Sequence, residues 1–147
     1  MSRIKRISEV FEETSKFKLK KDRISHLQAN QSVLMKYMAQ GAYHPGVVWL
    51  LPKGVPPHKS ANPLETEMGL HQELQRLYLF CKGGNDSLKQ YDREKLFINV
   101  LEKLHPADAE LLCAVKDKRI NYPFLTYALF KEAFPDWLPD KEKEDGE

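Results

Sequence analysis

Five prolines between Gly41 and Leu64 constrain this chain more than any other feature of its sequence. Pro45, Pro52, Pro56, Pro57 and Pro63 each remove a backbone donor and restrain the preceding residue, so no regular helix crosses the stretch. Yet Val47, Val48, Trp49, Leu50 and Leu51 form the most apolar run in the chain, which a solvated linker would not carry. The expectation is an extended strap, about residues 42–63, laid across a helical core with Trp49 buried. Its Val47–Leu51 half would seal that core, leaving the Lys53–Lys59 half at the surface. Val47–Leu51 is also the only strand candidate, and the sequence shows no obvious partner for it.

The segments on both sides carry helical periodicity. Ile4, Ile7, Val10 and Phe11 make residues 3–16 amphipathic, and Lys16, Lys18, Lys20, Lys21 and Arg23 follow as a basic connector. Asp22 is suited to cap a turn holding Ile24 and Leu27. Asn30 is suited to cap a helix through Val33, Leu34, Tyr37 and Met38, which Gly41 would close in the left-handed conformation. Leu64, Met68, His71, Leu74, Leu77, Tyr78 and Cys81 predict one helix over 64–81, with His71 a core histidine. Gly83-Gly84-Asn85-Asp86 is a turn, with Asp86 or Ser87 opening the next helical segment. Leu96, Phe97, Val100, Leu101 and Leu104 give a clean apolar face. Pro106 marks a helix start with Asp108 and Glu110 at its positive end and Lys116, Lys118 and Arg119 at its negative end. Pro123 would open a last helix with Phe124, Tyr127, Ala128, Phe130 and Phe134, and Pro135 would stop it.

These patterns predict a mainly α, compact single domain of five to seven helices, with the strap packed across the core. The expected division is a basic N-terminal helix or arm over 1–21, a helical core over 22–139 and a disordered acidic tail over 140–147. Trp49, Leu50, Leu51, Leu74, Leu77, Phe97, Leu101, Leu112 and Phe130 are the expected core. A chain of 147 residues with 41% hydrophobic and 30% charged side chains fits one globular domain of this kind. No apolar run reaches the ~20 residues needed to span a bilayer, and no secretory pattern opens the chain, so a cytoplasmic protein with no membrane partner is expected. Cys81 and Cys113 are then expected as free thiols.

Catalytic signatures are missing: there is no phosphate-cradling glycine loop, no His-Glu-x-x-His and no nucleophile elbow. His44, His58, His71, Cys81, His105 and Cys113 lack the spacing of a zinc site. The carboxylates of Glu12/Glu13, Asp92/Glu94 and Asp108/Glu110 fit a helix surface and helix N-termini better than acid–base chemistry. The expectation is therefore no catalytic residue, no metal and no cofactor. Two binding surfaces stand out instead. One is the exposed strap at Lys53, Val55, Pro56, Pro57 and His58, suited to a protein partner. The other is a nucleic-acid surface built from Arg3, Lys5, Arg6, Lys16, Lys18, Lys20, Lys21 and Arg23. Residues 1–40 hold nine Lys and Arg against four Asp and Glu, while residues 132–147 hold seven acidic side chains against two basic. The whole chain is only +2, too little for charge alone to name a polyanion as the partner.

Three stretches carry a family resemblance. They are Gly41-Ala42-Tyr43-His44-Pro45 with Trp49-Leu50-Leu51-Pro52-x-Gly54-x-Pro56-Pro57, then Leu79-Phe80-x-Lys82-Gly83-Gly84-Asn85, then Ala109-Glu110-Leu111-Leu112-x-Ala114-Val115-Lys116-Asp117-Lys118 with Glu132-Ala133-Phe134-Pro135. Over about residues 25–138 the chain resembles a family of small, functionally uncharacterised proteins of T4-like tailed bacteriophages and their marine relatives. The resemblance brings no catalytic residues with it. It implies a non-catalytic phage accessory protein in the cytoplasm of an infected bacterium, binding a host or phage machine of transcription, replication or proteolysis. The alternatives are nucleic-acid binding through the basic segment and a small enzyme whose site is assembled from distant residues. Oligomeric state stays open.

Overall fold

The computed structural model describes residues 5–62 and 69–140. Arg3, Ile4, Pro63, Leu64, Met68 and the acidic tail over 141–147 lie outside the described residues. The described elements are α1 (Ile7–Ser15), α2 (Lys20–Ala29), α3 (Val33–Tyr43), α4 (Leu70–Glu73), a 3-10 helix (Leu74–Phe80), α5 (Gln90–Lys103), α6 (Pro106–Lys116) and α7 (Tyr127–Ala133). The fold is mainly α, as the periodicity predicts.

Helix α6 is the hub, because Ala109, Leu111, Leu112, Cys113, Ala114 and Val115 are all buried. Helices α1, α3 and α5 pack against it, and α2 packs on α1 and α7. Pro106 opens α6 at a position that needs no donor, and the His105 side chain accepts the Ala107 N–H at 3.1 Å. The α5 face is as predicted: Phe97, Val100, Leu101 and Leu104 are buried, and Phe97 meets Phe80 edge-on at 5.2 Å between ring centroids.

Several expectations need correction. The division at residue 21 is not a structural boundary, because α1 is part of the core. Ile7, Val10 and Phe11 are buried, and the Phe11 ring lies edge-on to Phe130 at 5.8 Å and to Tyr122 at 6.4 Å. Asp22 sits within the first turn of α2, and Leu19 holds the cap position with no side-chain bond. Asn30 ends α2, its amide donating to the His26 carbonyl, and Ser32 caps α3 by accepting the Met35 N–H at 3.0 Å. Gly41 does not end α3; it lies inside the helix, which runs on to Tyr43. Neither Asp86 nor Ser87 opens α5, which begins at Gln90 while Asp86 accepts the Gly83 N–H within the turn. Pro123 opens no helix, because Thr126 caps α7 through the Leu129 N–H. Phe124 takes a positive φ of 69° and carries the Arg23 guanidinium 3.9 Å above its ring.

The predicted helix over 64–81 is, in its described part, one α turn followed by seven 3-10 residues. Tertiary partners take its last carbonyls: Arg93 Nε donates to Leu79 O at 3.1 Å and Leu50 N to Phe80 O at 2.8 Å. Residues three apart eclipse in a 3-10 helix, so Leu74, Leu77 and Phe80 form the inward row. His71, expected in the core, is half-buried. Of the expected core, Leu77, Phe97, Leu101, Leu112 and Phe130 are buried, whereas Trp49, Leu50, Leu51 and Leu74 are only half-buried. The strap lies on the outside of the helices, so each of its apolar residues keeps a side toward solvent.

Candidate functional site

The strap leaves α3 at His44 and is fixed first by backbone pairing. Trp49 and Cys81 form an isolated antiparallel bridge, with Leu50 N donating to Phe80 O and Lys82 N to Val48 O, both at 2.8 Å. The strand candidate does have a partner, the exit of the 3-10 helix. Trp49 then lies against α3, its Nε1 donating to the Gly41 carbonyl at 3.0 Å. Gly41 permits this approach because a Cβ there would stand 2.8 Å from Val115 Cγ1 and 3.0 Å from Trp49 Cζ2.

Two lysines from the end of α6 complete the attachment. The Lys116 side chain, 1% exposed, donates to Pro52 O at 2.6 Å, Gly54 O at 2.9 Å and Asp117 Oδ1 at 2.6 Å. Asp117 Oδ2 accepts the Gly54 N–H at 2.9 Å. Burial pushes the Asp117 carboxyl upward, but the bonds from Lys116 and Gly54 outweigh it and hold its pKa below the ordinary value. Lys118 Nζ donates to Gly41 O, His44 O and Val47 O at 2.9–3.1 Å. The three residues over 117–119 form a helix terminus, as the sequence suggests, and Asp117 and Lys118 also tie down the strap.

Lys118 makes these bonds from a strained backbone. It has φ 67°, where Arg119 N returns to Ala114 O and Lys118 N to Val115 O in the helix-ending loop that glycine usually serves. A non-glycine residue there costs about 1–2 kcal/mol. Lys118→Gly is therefore expected to destabilise the fold by about 1–3 kcal/mol, relief of strain offsetting only part of three lost bonds. Hydrogen exchange at the Leu50 and Lys82 amides should accelerate. A stabilised variant with unchanged exchange at those amides would show that the lysine does not hold the strap.

A cleft opens on each side of the strap. One, of ≈ 380 Å³, lies between Pro52–Pro57 and α5, over Phe97, Ile98 and Glu94. Of the strap residues expected to meet a partner, Lys53, Val55 and Pro57 are exposed, while Pro56 and His58 are half-buried and bonded to each other through His58 Nδ1 and Pro56 O at 2.9 Å. The second cleft, of ≈ 360 Å³, lies between α3, the strap and the 3-10 helix. Trp49, Met38, Leu74 and Leu77 line it, and Tyr37 and Tyr78, 46% and 55% exposed, stand at its rim. The 3-10 period places the second tyrosine: Tyr78 shares a row with Gln75, beside the Leu74 and Leu77 row that also lines the cleft. An α-helical reading instead assigns Tyr78 to the core stripe.

A family model of unknown function matches residues 10–122, from within α1 to the loop before α7. This chain belongs to the DUF6433 family. The matched part of the DUF6433 chain contains both clefts, the strap and both clamping lysines. No curated protein and no solved structure shows a significant match to it.

Cys81 and Cys113 are free, and burial pushes both thiols up to about 11, away from thiolate reactivity. Among the described residues, no three His, Cys, Asp or Glu side chains gather as metal ligands. Part of the basic segment is paired within the chain, its lysines at the solvent surface. Lys5 pairs with Glu13 at 2.9 Å, Lys16 with Glu12 at 3.6 Å and Lys20 with Glu132 at 2.9 Å. Arg23 donates to the carbonyls of Phe17 and Lys18, and Arg6 has its Nε buried. Lys18 and Lys21 remain exposed.

Proposed function

We propose that this DUF6433 chain is a non-catalytic interaction protein that docks a partner protein in the cleft between α3, the strap and the 3-10 helix. The observation that carries the reading is the Tyr37–Trp49–Tyr78 constellation: two exposed aromatic side chains over a half-buried third, all on a scaffold fixed by hydrogen bonds. Tyrosine and tryptophan dominate the energetics of protein interfaces because they contribute large rigid contact areas with a polar handle. The resemblance to T4-like phage proteins supports looking for the partner in the cytoplasm of an infected bacterium, on a host or phage machine of transcription, replication or proteolysis. The alternative is a nucleic-acid role for the basic segment, whose Lys5, Lys16 and Lys20 sit in exposed surface pairs and whose Lys18 and Lys21 are exposed.

The test is affinity capture from phage-infected cells, run in parallel with wild type and with Tyr37→Ser/Tyr78→Ser. Both tyrosines are exposed, so the variant is expected to keep its melting temperature within a few degrees. It is expected to lose the captured partner. Partners retained equally by the double variant would overturn the reading.

A further inference from the structure

The connector between α1 and α2 and the first residues of α2 alternate cations with apolar side chains. Lys16, Phe17, Lys18, Leu19, Lys20 and Lys21 are all exposed. Four acids stand around them: Glu12 pairs with Lys16, Glu132 with Lys20, and Glu13 with Lys5 and His26. Asp22, the fourth, is half-buried in the first turn of α2. Lys18 and Lys21 have no carboxylate partner among the described residues. A second aromatic reaches this face from the loop before α7. Arg23 Nε donates to Phe17 O at 2.9 Å and Nη2 to Lys18 O at 3.1 Å, while the same guanidinium lies 3.9 Å over the Phe124 ring. The edge of one guanidinium thus holds the connector and its face holds the ring. Phe124 is 54% exposed although one side of its ring is taken, and its φ of 69° is one that a bulky residue rarely adopts. Burial does not explain a strained backbone that carries an exposed ring. Phe17 is 39% exposed, its ring tilted against His26 at 5.2 Å between centroids.

We infer that this face binds single-stranded nucleic acid, stacking bases on Phe17 and Phe124 while Lys18 and Lys21 take the neighbouring phosphates. The inference rests on the alternative reading of the basic segment and is independent of docking at the aromatic cleft. Every unpaired base offers a flat ring face, so exposed aromatic rings beside cations hold a single strand without reading its sequence. A duplex keeps its bases stacked on one another and would present mainly phosphates here. The four acids keep the local surplus of charge small, so phosphate contacts alone give weak binding and stacking supplies much of the affinity. Arg23 is the positioning residue: it fixes the orientation of the Phe124 ring and the path of the connector together. A lipid bilayer suits this face less, because seating Phe124 among acyl chains would draw the stacked guanidinium out of water with it.

The probes are fluorescently labelled oligo(dT) and oligo(U) of roughly a dozen nucleotides, whose anisotropy is followed as the full-length protein is added. Each titration is run at low salt and repeated as salt is raised, and the two strands separate DNA from RNA as the preferred ligand. Phe17→Ala/Phe124→Gly is expected to weaken binding about tenfold or more while leaving the slope of affinity against salt unchanged. Glycine accepts the φ of residue 124, so this variant should keep its melting temperature within a few degrees. Lys18→Ala/Lys21→Ala is expected to reduce the salt slope by about 1.4, roughly 0.7 for each phosphate contact. If the aromatic variant binds as wild type while the lysine variant lowers the slope, stacking fails and the nucleic-acid reading stands. Absence of binding to either strand at low salt removes both. Tighter binding to a duplex than to the single strand would also overturn the inference. So would ring-dependent capture by phosphatidylserine vesicles without oligonucleotide binding, which would assign the face to a membrane.

Discussion

Replacing Phe11 with alanine is expected to destabilise the fold by about 3–5 kcal/mol, the cost of emptying a fully buried aromatic site. Its ring packs edge-on against Phe130 of α7 and Tyr122, so it joins the first helix to the last quarter of the chain. The neighbours cannot simply collapse onto the void, because Phe130 is also held by Tyr43 of α3 with ring centroids 6.2 Å apart. By the same reasoning, a truncated chain lacking residues 1–16 is expected to lose cooperative unfolding, since Ile7 and Val10 are buried beside Phe11. Urea unfolding of the point variant and thermal unfolding of the truncation measure the two effects. A loss below about 1 kcal/mol, or a stable truncated fragment, would return α1 to the status of a dispensable arm.

The N-terminal helix shows why some of this fold was legible in the sequence and some was not. Its apolar spacing is plain, and so is its surplus of positive charge. The surplus suggests an arm available to a polyanion, because composition does not reveal that Lys5, Lys16 and Lys20 meet Glu13, Glu12 and Glu132. Helices α5 and α6 are legible because their apolar faces are regular and Pro106 marks a start. The segment over 70–80 has equally regular spacing, but Leu74–Phe80 takes the 3-10 period, which apolar residues at three- and four-residue steps do not distinguish from the α period. Helix ends fail for a local reason: Asn30 and Ser32 are both good caps two residues apart, and only geometry selects between them.

The strap was legible as an element because proline chemistry acts locally, but its attachment was not. Nothing in Lys116 or Lys118 separates a lysine suited to a helix C-terminus from one that gathers carbonyls 60 or more residues away in sequence. Gly41 was equally ambiguous, since a glycine near the end of a periodic run suits both a helix stop and a close approach. The space needed by Trp49 decides for the second. The aromatic cleft could not be foreseen, because Tyr37 and Tyr78 sit in apolar stripes where burial is the ordinary expectation.

Asp108→Ala is expected to cost a comparable amount, about 3–5 kcal/mol, for an electrostatic reason. The carboxylate is fully buried in the first turn of α6, at that helix's positive end. One oxygen accepts the Ser8 N–H at 3.2 Å and also the Ser8 hydroxyl, within the first turn of α1. The other accepts the Leu70 N–H at 2.9 Å, at the start of α4. One side chain thus satisfies donors at two other helix starts, and Gly69 leaves room for it because a Cβ there would lie 2.8 Å from Asp108 Oδ2. Alanine would leave those donors buried without an acceptor. Asp108→Asn keeps the shape and one acceptor, so its loss should be smaller than that of alanine. Because Ser8 and Phe11 lie on the same helix, Asp108→Ala and Phe11→Ala both loosen the seating of α1. The double variant should then lose less than the sum of the two, the mark of sites that share one docking event. Strict additivity in urea unfolding would mean instead that the carboxylate and the ring hold α1 independently.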